Sequence, residues 1–586
     1  MALYKRTTRY YSLKERHTPP HMKRTHFILL GTFLLGAALG SGVTSYWSSL
    51  RVETLLSFLP ASLPQGSAPV ADATQPSLPR QSETASPKSP ALAASLSSPQ
   101  ALTSQAGQGT VVPTALPSSV LPSKAIPQAM VENALALATG PLPTLPFAPS
   151  ASSFILHKMG APGGPTLLVV GGIQGDEPGG FSAAALIASH YTITKGAVWV
   201  VPDLNLPSIL LRNRGSSGDM NRKFAFLNTT DPDYATVTRI KEVLTESTVD
   251  LVLNLHDGSG FYRPAFEDKL HNPGRWGQSV IIDQEDMSAP RFANLQGMAQ
   301  TATEDANKKL LHPEHRYHLR NTHTRQGDKE MEKTLSYFAV CSGKPAFGLE
   351  ASKEFSTEYR SYYHLLLVES FMRQMGIEFT RNFTLTPQGV LATLNSNLML
   401  AAFDSKLVLP LDNARTSLSL LPFKQGEAPA LQASKPLLLM VPEKDGTWRV
   451  AYGNRTLTRF KPQFMEFDNS LPSLGMQCDT ASPVTVPLGN VVGVRDSFTV
   501  TVPEGYRVNA IGARKEQNGT EAGVELFQKD FLPQYSLDKD GSTYRVEVYK
   551  GEAFAGMVLV RFGETGHGPS TGALTATSGP ESVLGF

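Results

Sequence analysis

The chain has 586 residues, of which 41% are apolar, and its formal net charge at pH 7 is +2. At roughly 100–200 residues per domain, this length predicts several folded units. The small net charge, with no basic patch interleaved with aromatic residues, excludes a dedicated nucleic-acid-binding protein. The two cysteines, Cys341 and Cys478, fall in different predicted domains. We therefore expect two separate buried thiols, although an exported protein could carry a disulfide.

The N-terminus combines a basic segment with a long uncharged run. Its basic residues are Lys5, Arg6, Arg9, Lys14, Arg16, Lys23 and Arg24. Residues 27–47 carry no charge, and a membrane-spanning helix needs about 20 residues. Because a basic flank stays on the cytoplasmic side, we predict a cytoplasmic segment over residues 1–26 and a transmembrane anchor over residues 27–47. A cleaved signal peptide is the alternative, since small residues follow the apolar run.

Two segments have a composition that is typical of disorder. Residues 48–148 are rich in Pro, Ala and Ser and contain few large apolar side chains. Such a segment cannot bury enough surface to fold, so we predict a disordered linker there. Residues 564–586, rich in Gly, Ser and Thr, are predicted to form a disordered tail. The linker is long enough to tether a folded domain at some distance from a membrane.

Residues 149–377 alternate between strand-like and helix-like segments, which is typical of an α/β domain. The predicted strands cover residues 153–158, 166–171, 197–202, 249–255, 279–283 and 346–349. The predicted helices cover residues 181–188, a segment that starts at Asp231-Pro232, residues 290–309 and residues 357–375. This alternation predicts a largely parallel or mixed sheet flanked by helices on both faces.

After Gly376 short alternating runs, separated by turn residues, indicate two all-β modules. The predicted strands cover residues 379–385, 436–441, 448–452, 497–502, 544–549 and 557–562. Turn signals such as Asp445-Gly446 and Asp540-Gly541 lie between them. We divide the modules near residue 460, into residues 378–460 and a sandwich-like module over residues 461–563.

Three strands of the predicted α/β sheet end in side chains that could bind a metal ion. The apolar strand at 166–171 runs into a glycine-rich turn that carries Gln174 and Glu177. A later strand ends in His256, and a third ends in Glu350. Ligands of open α/β sheets bind at the carboxyl ends of the strands. A single His or Glu after a strand is usually structural, but three such ends in one sheet favour a functional site.

These motifs resemble those of the zinc carboxypeptidase superfamily, which has His-x-x-Glu after one strand, a His after a later strand and a catalytic Glu near the domain's end. Here the first position is Gln174. One branch has Gln-x-x-Glu there: the cell-shape-determining peptidoglycan DL-carboxypeptidases of helical and curved bacteria. The chain also resembles that branch in Arg-Asn-Arg-Gly, Asp-Met-Asn-Arg-Lys-Phe, Leu-His-Asp-Gly and Phe-Gly-Leu-Glu-Ala-Ser-Lys. The motif resemblance covers about residues 150–376, and the β-rich modules after them match only in architecture.

The resemblance implies a zinc carboxypeptidase-like fold and a zinc site. Gln174, Glu177 and His256 would hold Zn²⁺ and leave one position for water, as in catalytic zinc sites. A glutamine amide oxygen is a weaker zinc ligand than an imidazole. Glu350 would take a proton from the water and pass it to the leaving amine.

The resemblance also implies a substrate-binding set of cationic and amide side chains. Arg214 would polarise the scissile carbonyl and stabilise its oxyanion. Asn221 and Arg222 would bind the terminal carboxylate of the substrate, which a guanidinium can grip with two hydrogen bonds. Arg212 could take the place of Arg214, because the spacing to Asn221 favours Arg214 only mildly.

For several other polar residues, both a functional and a structural role are considered. Glu354 is the rival base, although we expect it to be solvated beyond the strand end. Asp257 could support the metal ligands or be a turn residue. A loose histidine group could bind a metal, but Pro313 interrupts a helix there and we expect a solvated loop; it comprises His312, His315, His318 and His323.

The main hypothesis is a zinc-dependent carboxypeptidase that trims peptidoglycan stem peptides. By resemblance it converts the muramyl tripeptide to the dipeptide, releases meso-diaminopimelate and affects cell shape. The predicted anchor would hold it in the bacterial inner membrane with its catalytic domain in the periplasm. One alternative is a zinc amidohydrolase of the desuccinylase and aspartoacylase type, against which the anchor argues. Another is a non-catalytic wall-binding scaffold with a degenerate site. Gln174 suggests this alternative because glutamine is a weaker zinc ligand than histidine. The oligomeric state is not predicted.

Overall fold

The computed structural model describes residues 144–145 and 154–563. The predicted anchor at residues 27–47, the tail at 564–586 and almost all of the predicted linker lie outside the described residues. Within the described ranges, no helix has the length and apolar character needed to cross a membrane. Strand β1 (Thr144–Leu145) pairs with Leu431 and Gln432 of a β module, so the prediction of disorder up to residue 148 is wrong for these two residues.

A seven-stranded mixed sheet forms the centre of the α/β domain. In spatial order its strands are β10 (His318–Asn321), β9 (Ser279–Ile282), β11 (Ala346–Ser352), β6 (Leu251–Gly258), β3 (Thr166–Val170), β5 (Ala197–Val201) and β2 (His157–Gly160). Strands β11, β6, β3 and β5 run parallel, whereas β9 is antiparallel to β11 and β2 is antiparallel to β5. All residues of β3 are buried, as expected for an apolar strand covered on both faces. The predicted mixed sheet is confirmed.

Helices cover both faces of this sheet. They are α1 (Pro178–His190), α2 (Leu206–Leu211), α3 (Tyr234–Thr245), α4 (Leu295–Asn307), α5 (Leu335–Cys341), α6 (Thr357–Gln374) and α7 (Pro387–Asn395). Helices α1, α4 and α6 pack together on one face, and α3 and α5 pack on the other. Pro178 occupies the first turn of α1, where its missing N–H would have no intrahelical partner.

Some helices and strands begin later than predicted, because side-chain contacts keep the residues before them in a non-helical or irregular conformation. The Asn294 side chain accepts a hydrogen bond from Gly297 N at 2.6 Å, so α4 begins five residues after the predicted start. Strand β2 begins at His157 instead of residue 153. Before it, the Phe154 ring lies 4.3 Å from the Arg239 guanidinium, and Ile155 N donates to the Asp203 carboxylate at 3.0 Å.

A two-stranded ribbon extends the α/β domain beyond the predicted boundary. Strand β4 (Tyr191–Lys195), which the sequence pattern did not reveal, pairs antiparallel with β12 (Glu378–Arg381). The predicted strand at residues 379–385 therefore pairs with the α/β domain and not with a β module. Strands β7 (Phe261–Tyr262) and β8 (His271–Asn272) form a second short ribbon.

The C-terminal part is β-rich, as predicted. The strands of the first module are β13 (Met399–Ala402), β14 (Leu407–Pro410), β15 (Leu421–Lys424), β16 (Leu431–Ala433), β17 (Leu438–Pro442), β18 (Trp448–Tyr452), β19 (Arg455–Phe460) and β20 (Pro462–Met465). They form a sheet β1-β16-β13-β14, a sheet β17-β18-β19 and a parallel pair β15-β20. By this pairing, Pro462–Met465 joins the first module.

The second module consists of two four-stranded sheets. Its strands are β21 (Ser473–Cys478), β22 (Val484–Pro487), β23 (Val491–Val494), β24 (Ser497–Thr501), β25 (Tyr506–Ala510), β26 (Leu526–Phe527), β27 (Thr543–Lys550) and β28 (Ala553–Phe562). The sheets β22-β21-β24-β26 and β23-β28-β27-β25 share an apolar core of their own. Four residues of β27 and β28 instead pack in the larger core of the described residues: Tyr549, Phe554, Met557 and Leu559. Cys478 is free and partly exposed, and Cys341 is free and exposed, so the predicted burial of both thiols is wrong.

The first β module packs against helix α1. A turn at Gly453, which has φ of +56°, lies so close that an added Cβ would stand 2.8 Å from Cε2 of Phe181. Real Cβ atoms essentially never approach a heavy atom within 3.0 Å. The contact therefore requires glycine at this turn, both for its positive φ and for its missing side chain.

Candidate active site

Four predicted site residues meet at the carboxyl ends of β3, β6 and β11. Gln174 and Glu177 lie in the turn between β3 and α1, His256 lies in β6, and Glu350 lies in β11. Their exposed fractions are 2%, 4%, 6% and 8%. Little water competes for their polar atoms, so the contacts among these side chains are electrostatically strong.

The three predicted metal ligands face one another. His256 Nδ1 lies 3.0 Å from Glu177 Oε2 and 3.2 Å from Gln174 Oε1. Donor atoms around a tetrahedral zinc ion with bonds of about 2.0–2.1 Å stand roughly 3.3 Å apart. The separations of His256 Nδ1 from the other two donors therefore suit a zinc-sized ion. Among the described residues, no group of three His, Cys, Asp or Glu side chains has metal-binding spacing. The third donor of this trio is the amide oxygen of Gln174.

Asp219 fixes the orientation of two site residues. Its Oδ1 accepts a hydrogen bond from Gln174 Nε2 at 2.7 Å, and its Oδ2 accepts one from Arg214 Nε at 2.9 Å. Burial alone would raise the pKa of Asp219, but these two partners hold it below its usual range. Because the carboxylate takes the amide N–H, the amide oxygen of Gln174 is left to face His256.

Two cations lie against Glu177 on the side away from His256. Arg214 Nη1 and Lys353 Nζ lie 3.4 Å and 3.3 Å from Glu177 Oε1, and Lys353 Nζ also lies 2.8 Å from Asp176 Oδ2. Arg212 is exposed and directs its Nη2 to Thr456 Oγ1 at 3.4 Å. Of the two arginines, the structure thus places Arg214 at the site.

Asn221 and Arg222 lie on a 3₁₀ turn (Met220–Arg222) at the edge of the site. Asn221 Nδ2 lies 3.3 Å from His256 Nε2, and Asn221 Oδ1 accepts a hydrogen bond from Leu335 N at 3.0 Å. Arg222 Nη1 donates to Asn221 O at 3.0 Å, and Arg222 Nε lies 3.5 Å from the largely exposed Glu330. The outer face of this guanidinium can therefore exchange Glu330 for a ligand carboxylate.

Glu350 has the electrostatics of a proton-transfer group. Its Oε2 is buried without a hydrogen-bond partner among the described residues. Burial raises the pKa of Glu350 to about 8, with an opposing effect of His256 and a further increase from Glu177. A cation bound beside it would favour the carboxylate form. The rival Glu354 is exposed and accepts a hydrogen bond from Gly260 N at 3.3 Å, as expected for a residue beyond the strand end.

Asp257 supports the site from the opposite face of the sheet. It lies within β6, so its interpretation as a turn residue is excluded. Its carboxylate accepts a hydrogen bond from Gly179 N at 2.8 Å and lies 3.1 Å from His364 Nε2 and 3.2 Å from Arg360 Nη1. Burial would raise the pKa of Asp257, but His364 and Arg360 lower it. Asp257 thereby ties the first turn of α1 to helix α6.

The site opens into a cavity of about 280 Å³. Its lining contains all seven predicted site residues together with side chains from the loops and strands around them. The lining residues are Gln174, Glu177, Arg214, Asn221, Arg222, His256, Asp257, Gly258, Ser259, Trp276, Ile281, Asp283, Met331, Thr334, Ser336, Gly348, Glu350 and Lys353.

The histidine group lies elsewhere, and its prediction as a solvated loop is wrong for two members. His315 is buried, with Nδ1 2.7 Å from Tyr363 Oη and its ring 4.4 Å from the ring of Phe355. His318 begins strand β10. Aromatic packing and strand pairing hold these residues, whereas His312 and His323 are exposed.

Sequence reasoning assigned no role to Asp219 or Lys353. Both stand inside the motifs Asp-Met-Asn-Arg-Lys-Phe and Glu-Ala-Ser-Lys that carried the resemblance. Asp219 could have been noticed as an acidic residue two positions before Asn221. Its contacts with Gln174 and Arg214 could not have been predicted. Gln174 is 45 residues away along the chain, and the contact with Arg214, only 5 residues away, depends on the conformation of the loop between them.

Two family models match the chain. The model described as the catalytic domain of a carboxypeptidase controlling helical cell shape matches residues 156–395. The model described as the C-terminal domain of metallo-carboxypeptidase matches residues 467–563. Together they include the α/β domain, with its ribbon and α7, and the second β module.

Solved structures of one bacterial protein are similar to the chain. Product-bound Cell Shape Determinant protein Csd4 from Helicobacter pylori is 41% identical, with a TM-score of 0.66, over 70% of this chain and 100% of that chain. Its tripeptide-bound form has the same values. The mDAP-bound form, described as a D,L-carboxypeptidase, is 42% identical with a TM-score of 0.65, over 68% of this chain and 96% of that one.

A curated relative matches a shorter stretch. The N-alpha-acetyl-L-2,4-diaminobutyric acid deacetylase of Halomonas elongata is 35% identical over 103 residues. The match spans 16% of this chain and 29% of the length of that relative.

Proposed function

The chain belongs to the family of metallo-carboxypeptidases that control helical cell shape, and on this premise we propose that it trims peptidoglycan stem peptides. The substrate is the muramyl tripeptide, and the bond cut joins γ-D-Glu to a terminal meso-diaminopimelate. The tripeptide and mDAP ligands of the Helicobacter pylori relative support this substrate class. Release of diaminopimelate leaves the muramyl dipeptide and changes the stems that are available for cross-linking.

One observation carries the proposal: a single cavity brings a metal-binding trio, a buried carboxylic acid and a carboxylate-binding pair together. Gln174, Glu177 and His256 would hold Zn²⁺. When bound, zinc lowers the pKa of a water molecule to about 7 and polarises a carbonyl. By accepting the Gln174 amide N–H, Asp219 would leave the amide oxygen free to hold the ion and would offset the weakness of an amide as a ligand.

The cationic side chains would bind and orient the substrate. Arg222 and Asn221 at the cavity edge bind its terminal carboxylate, and this selects a free C-terminus. Arg214, held by Asp219 at 2.9 Å, donates to the scissile carbonyl and to the negative charge that develops on its oxygen. Because Asp219 fixes Arg214 before substrate arrives, little reorganisation is needed during the reaction.

Glu350 would move the proton. Its unpartnered Oε2 accepts a proton from the attacking water and then gives it to the leaving nitrogen of diaminopimelate. The burial that raises the pKa of Glu350 favours the second transfer, in which the residue acts as an acid. A single residue thus serves both halves of the reaction.

The test is a digest of purified muropeptides analysed by mass spectrometry. Wild type should convert the tripeptide to the dipeptide, a chelator should abolish the conversion, and added zinc should restore it. Glu350→Gln should lower the rate by at least about 100-fold. The matched control Glu354→Gln removes the exposed carboxylate four residues later and should retain the wild-type rate.

Each other outcome selects a different function. Full release of diaminopimelate by Glu350→Gln would overturn the assigned chemistry. Activity on N-acyl amino acids, with none on muropeptides, would favour an amidohydrolase like the Halomonas elongata relative. Failure of the purified protein to take up zinc on titration would favour a non-catalytic scaffold.

We also propose an inner-membrane location with the catalytic domain in the periplasm. It is supported by the uncharged run over residues 27–47 and by the basic residues before it. In spheroplasts, external protease should remove the catalytic domain while a cytoplasmic control protein survives. Recovery of the protein in the soluble periplasmic fraction, shortened by about 45 residues, would instead support a cleaved signal peptide.

A further inference from the structure

A second cavity, of about 700 Å³, lies beside the edge strand β10 of the α/β sheet. It shares no lining residue with the active-site cavity. Its walls are helix α4, residues 313–319, and β8 with the loop before it. We call it the outer cavity. Small-molecule sites occupy about 300–1,000 Å³, so the outer cavity has room for a ligand.

Two side chains join the walls of the outer cavity to one another. Arg263, whose side chain is 6% exposed, donates from Nη1 to Arg316 O at 3.2 Å and from Nη2 to Glu314 O at 2.7 Å. Asn307 of α4 donates to Tyr317 O at 3.0 Å and accepts a hydrogen bond from Tyr317 N at 2.8 Å. The walls are therefore fixed before a ligand arrives, which lowers the cost of binding.

Three polar side chains that line the outer cavity have atoms without a partner. Thr303 is 5% exposed, and its Oγ1 has no hydrogen-bond partner among the described residues. The same is true of Nε2 of His271 and Nε2 of His318. Buried polar groups are nearly always satisfied by protein or by ordered water. These atoms therefore indicate that a polar ligand is missing from the cavity.

The two histidines are suited to hydroxyl groups. His271 Nδ1 lies 3.0 Å from Asp268 Oδ1, and this carboxylate favours a proton on Nδ1, which leaves Nε2 as an acceptor. Burial, together with the charges of Arg263 and Arg316, lowers the pKa of His318 to about 4. The His318 ring is therefore uncharged at neutral pH, with one donor and one acceptor nitrogen.

The charges of the lining disfavour an anionic ligand. Two arginines and four carboxylates line the outer cavity, and the guanidinium of the more buried arginine, Arg263, already lies 3.4 Å from Glu267. In the described part of the chain, no three His, Cys, Asp or Glu side chains have metal-binding spacing. Carboxylates only accept hydrogen bonds, so the lining suits a neutral ligand with many hydroxyl donors, such as a sugar.

The loop before β8 also carries exposed apolar side chains at the rim of the outer cavity. Phe266 is 72% exposed and Leu270 is 43% exposed, and they directly precede the lining residues Glu267 and His271. Exposed apolar groups beside polar ones are typical of binding surfaces. An aromatic ring is a flat apolar surface on which the C–H face of a sugar ring can pack.

We propose that the outer cavity binds a sugar of the glycan strand that carries the stem peptide. This inference rests on the proposed function, which brings that polymer to the domain. In a strand that bears stems the sugars are neutral and carry hydroxyl and N-acetyl groups, whereas the stem peptides carry carboxylates. The sugars are therefore the component of peptidoglycan that matches this lining.

The two cavities are close enough for one strand to reach both. Ser259 lines the active-site cavity and Arg263 lines the outer cavity. Four residues of chain span at most about 14 Å, so the Cα atoms of these two residues lie within that distance. A strand held at the outer cavity would thus keep one of its stem peptides near the metal-binding trio.

The first test is calorimetric titration of the full chain with a neutral tetrasaccharide of β-1,4-linked N-acetylglucosamine. Wild type should bind it. Gln300→Trp, which adds bulk at an exposed lining position of α4, should weaken binding at least about 10-fold. Thr303→Val, which removes only the unpartnered hydroxyl, should weaken it about 2- to 10-fold. The matched control Thr301→Trp changes the next exposed residue, which does not line the cavity, and should keep the wild-type affinity.

The second test compares release of diaminopimelate from intact sacculi with release from the free tripeptide, which has no sugar. Gln300→Trp should lower the rate on sacculi several-fold and leave kcat/KM for the free tripeptide unchanged, whereas Thr301→Trp should change neither.

The outcomes separate this inference from the proposed function. A wild type that does not bind the tetrasaccharide, or a Gln300→Trp variant that binds it equally well, would overturn the inference and leave the proposed function intact. Release of no diaminopimelate by wild type from either substrate would overturn the proposed function, while the titration still decides whether the outer cavity binds sugar. If Gln300→Trp does not fold, Thr303→Val tests the same site.

Discussion

Glu350 and His256 are register partners on the neighbouring parallel strands β11 and β6. The separation between the proton-transfer group and a metal ligand is therefore set by strand pairing, at about 4.8 Å between backbones. The other predicted site residues lie in loops or on a 3₁₀ turn: Gln174, Glu177, Arg214, Asn221 and Arg222. Sites whose central residues stand on paired strands hold their geometry more closely than sites built on loops alone.

Gln174→His should keep the metal. An imidazole is a better zinc ligand than an amide, and its second ring nitrogen can donate to Asp219, which now receives the Gln174 amide at 2.7 Å. Elemental analysis of the purified variant should find about one zinc per chain, as in wild type, whereas Gln174→Ala should lose most of it. Loss of zinc from the histidine variant would mean that residue 174 is not a ligand.

Asp219→Asn should weaken metal binding without removing a ligand. The variant loses the charge that orients both Gln174 and Arg214, and loss of such a supporting group typically costs about 10- to 100-fold in metal affinity. Competition with a zinc-binding dye measures this directly. Asp268→Asn changes an exposed carboxylate away from the site and should leave the affinity as it is. Equal affinities of Asp219→Asn and wild type would contradict the proposed role of Asp219.

Asp257→Ala should destabilise the catalytic domain. It leaves His364, Arg360 and Gly179 N without their buried partner. Removing one member of a buried ion pair costs about 3–5 kcal/mol. Urea unfolding followed by circular dichroism gives the free energy. The exposed Glu504→Ala should change it by no more than about 0.5 kcal/mol, and a similarly small effect at Asp257 would show that the network is not stabilising.

Asp203 should make stability depend on pH. Burial raises the pKa of Asp203 from 3.8 to about 7. The folded state thus binds this proton more tightly than the unfolded chain. The contribution of Asp203 to stability is therefore fully present below pH 4 and is lost as the pH rises to about 7.

The Asp203→Asn variant keeps an acceptor for Ile155 N and removes the charge. Its free energy of unfolding should exceed that of wild type by an amount that grows between pH 4 and pH 7, up to a few kcal/mol at about 1.4 kcal/mol per pKa unit. Urea unfolding at pH 5, 6, 7 and 8 tests the trend. Parallel stability profiles of the two proteins would show that Asp203 is not held neutral by folding.

The parts of the fold that sequence could predict are those with local signals. The uniform apolar run of β3 and the proline at the start of α1 are visible within a few residues of the chain. The ribbon of β4 and β12 is not, because its pairing joins Tyr191 to Arg381 and only Tyr191 of β4 is buried. Periodicity cannot reveal a strand that has one buried position.

The candidate site divides in the same way. The motif residues could be predicted because they lie at strand ends or in short motifs that resemble those of a known family. The grouping of Gln174 and Arg214 around Asp219 could not be predicted, because it joins the turn after β3 to the loop before the 3₁₀ turn. These contacts depend on how the sheet brings separate segments of the chain together.

The contact of Gly453 with Phe181 has a consequence for how this chain could have changed over time. Phe181 lies in the first turns of α1, four residues after Glu177, and the turn at Gly453 belongs to the first β module. If another module replaced this one during evolution, it would need a glycine at the equivalent turn, or residue 181 would need a smaller side chain than phenylalanine. The two parts are therefore expected to be inherited as a pair, and recombination between them should be rare.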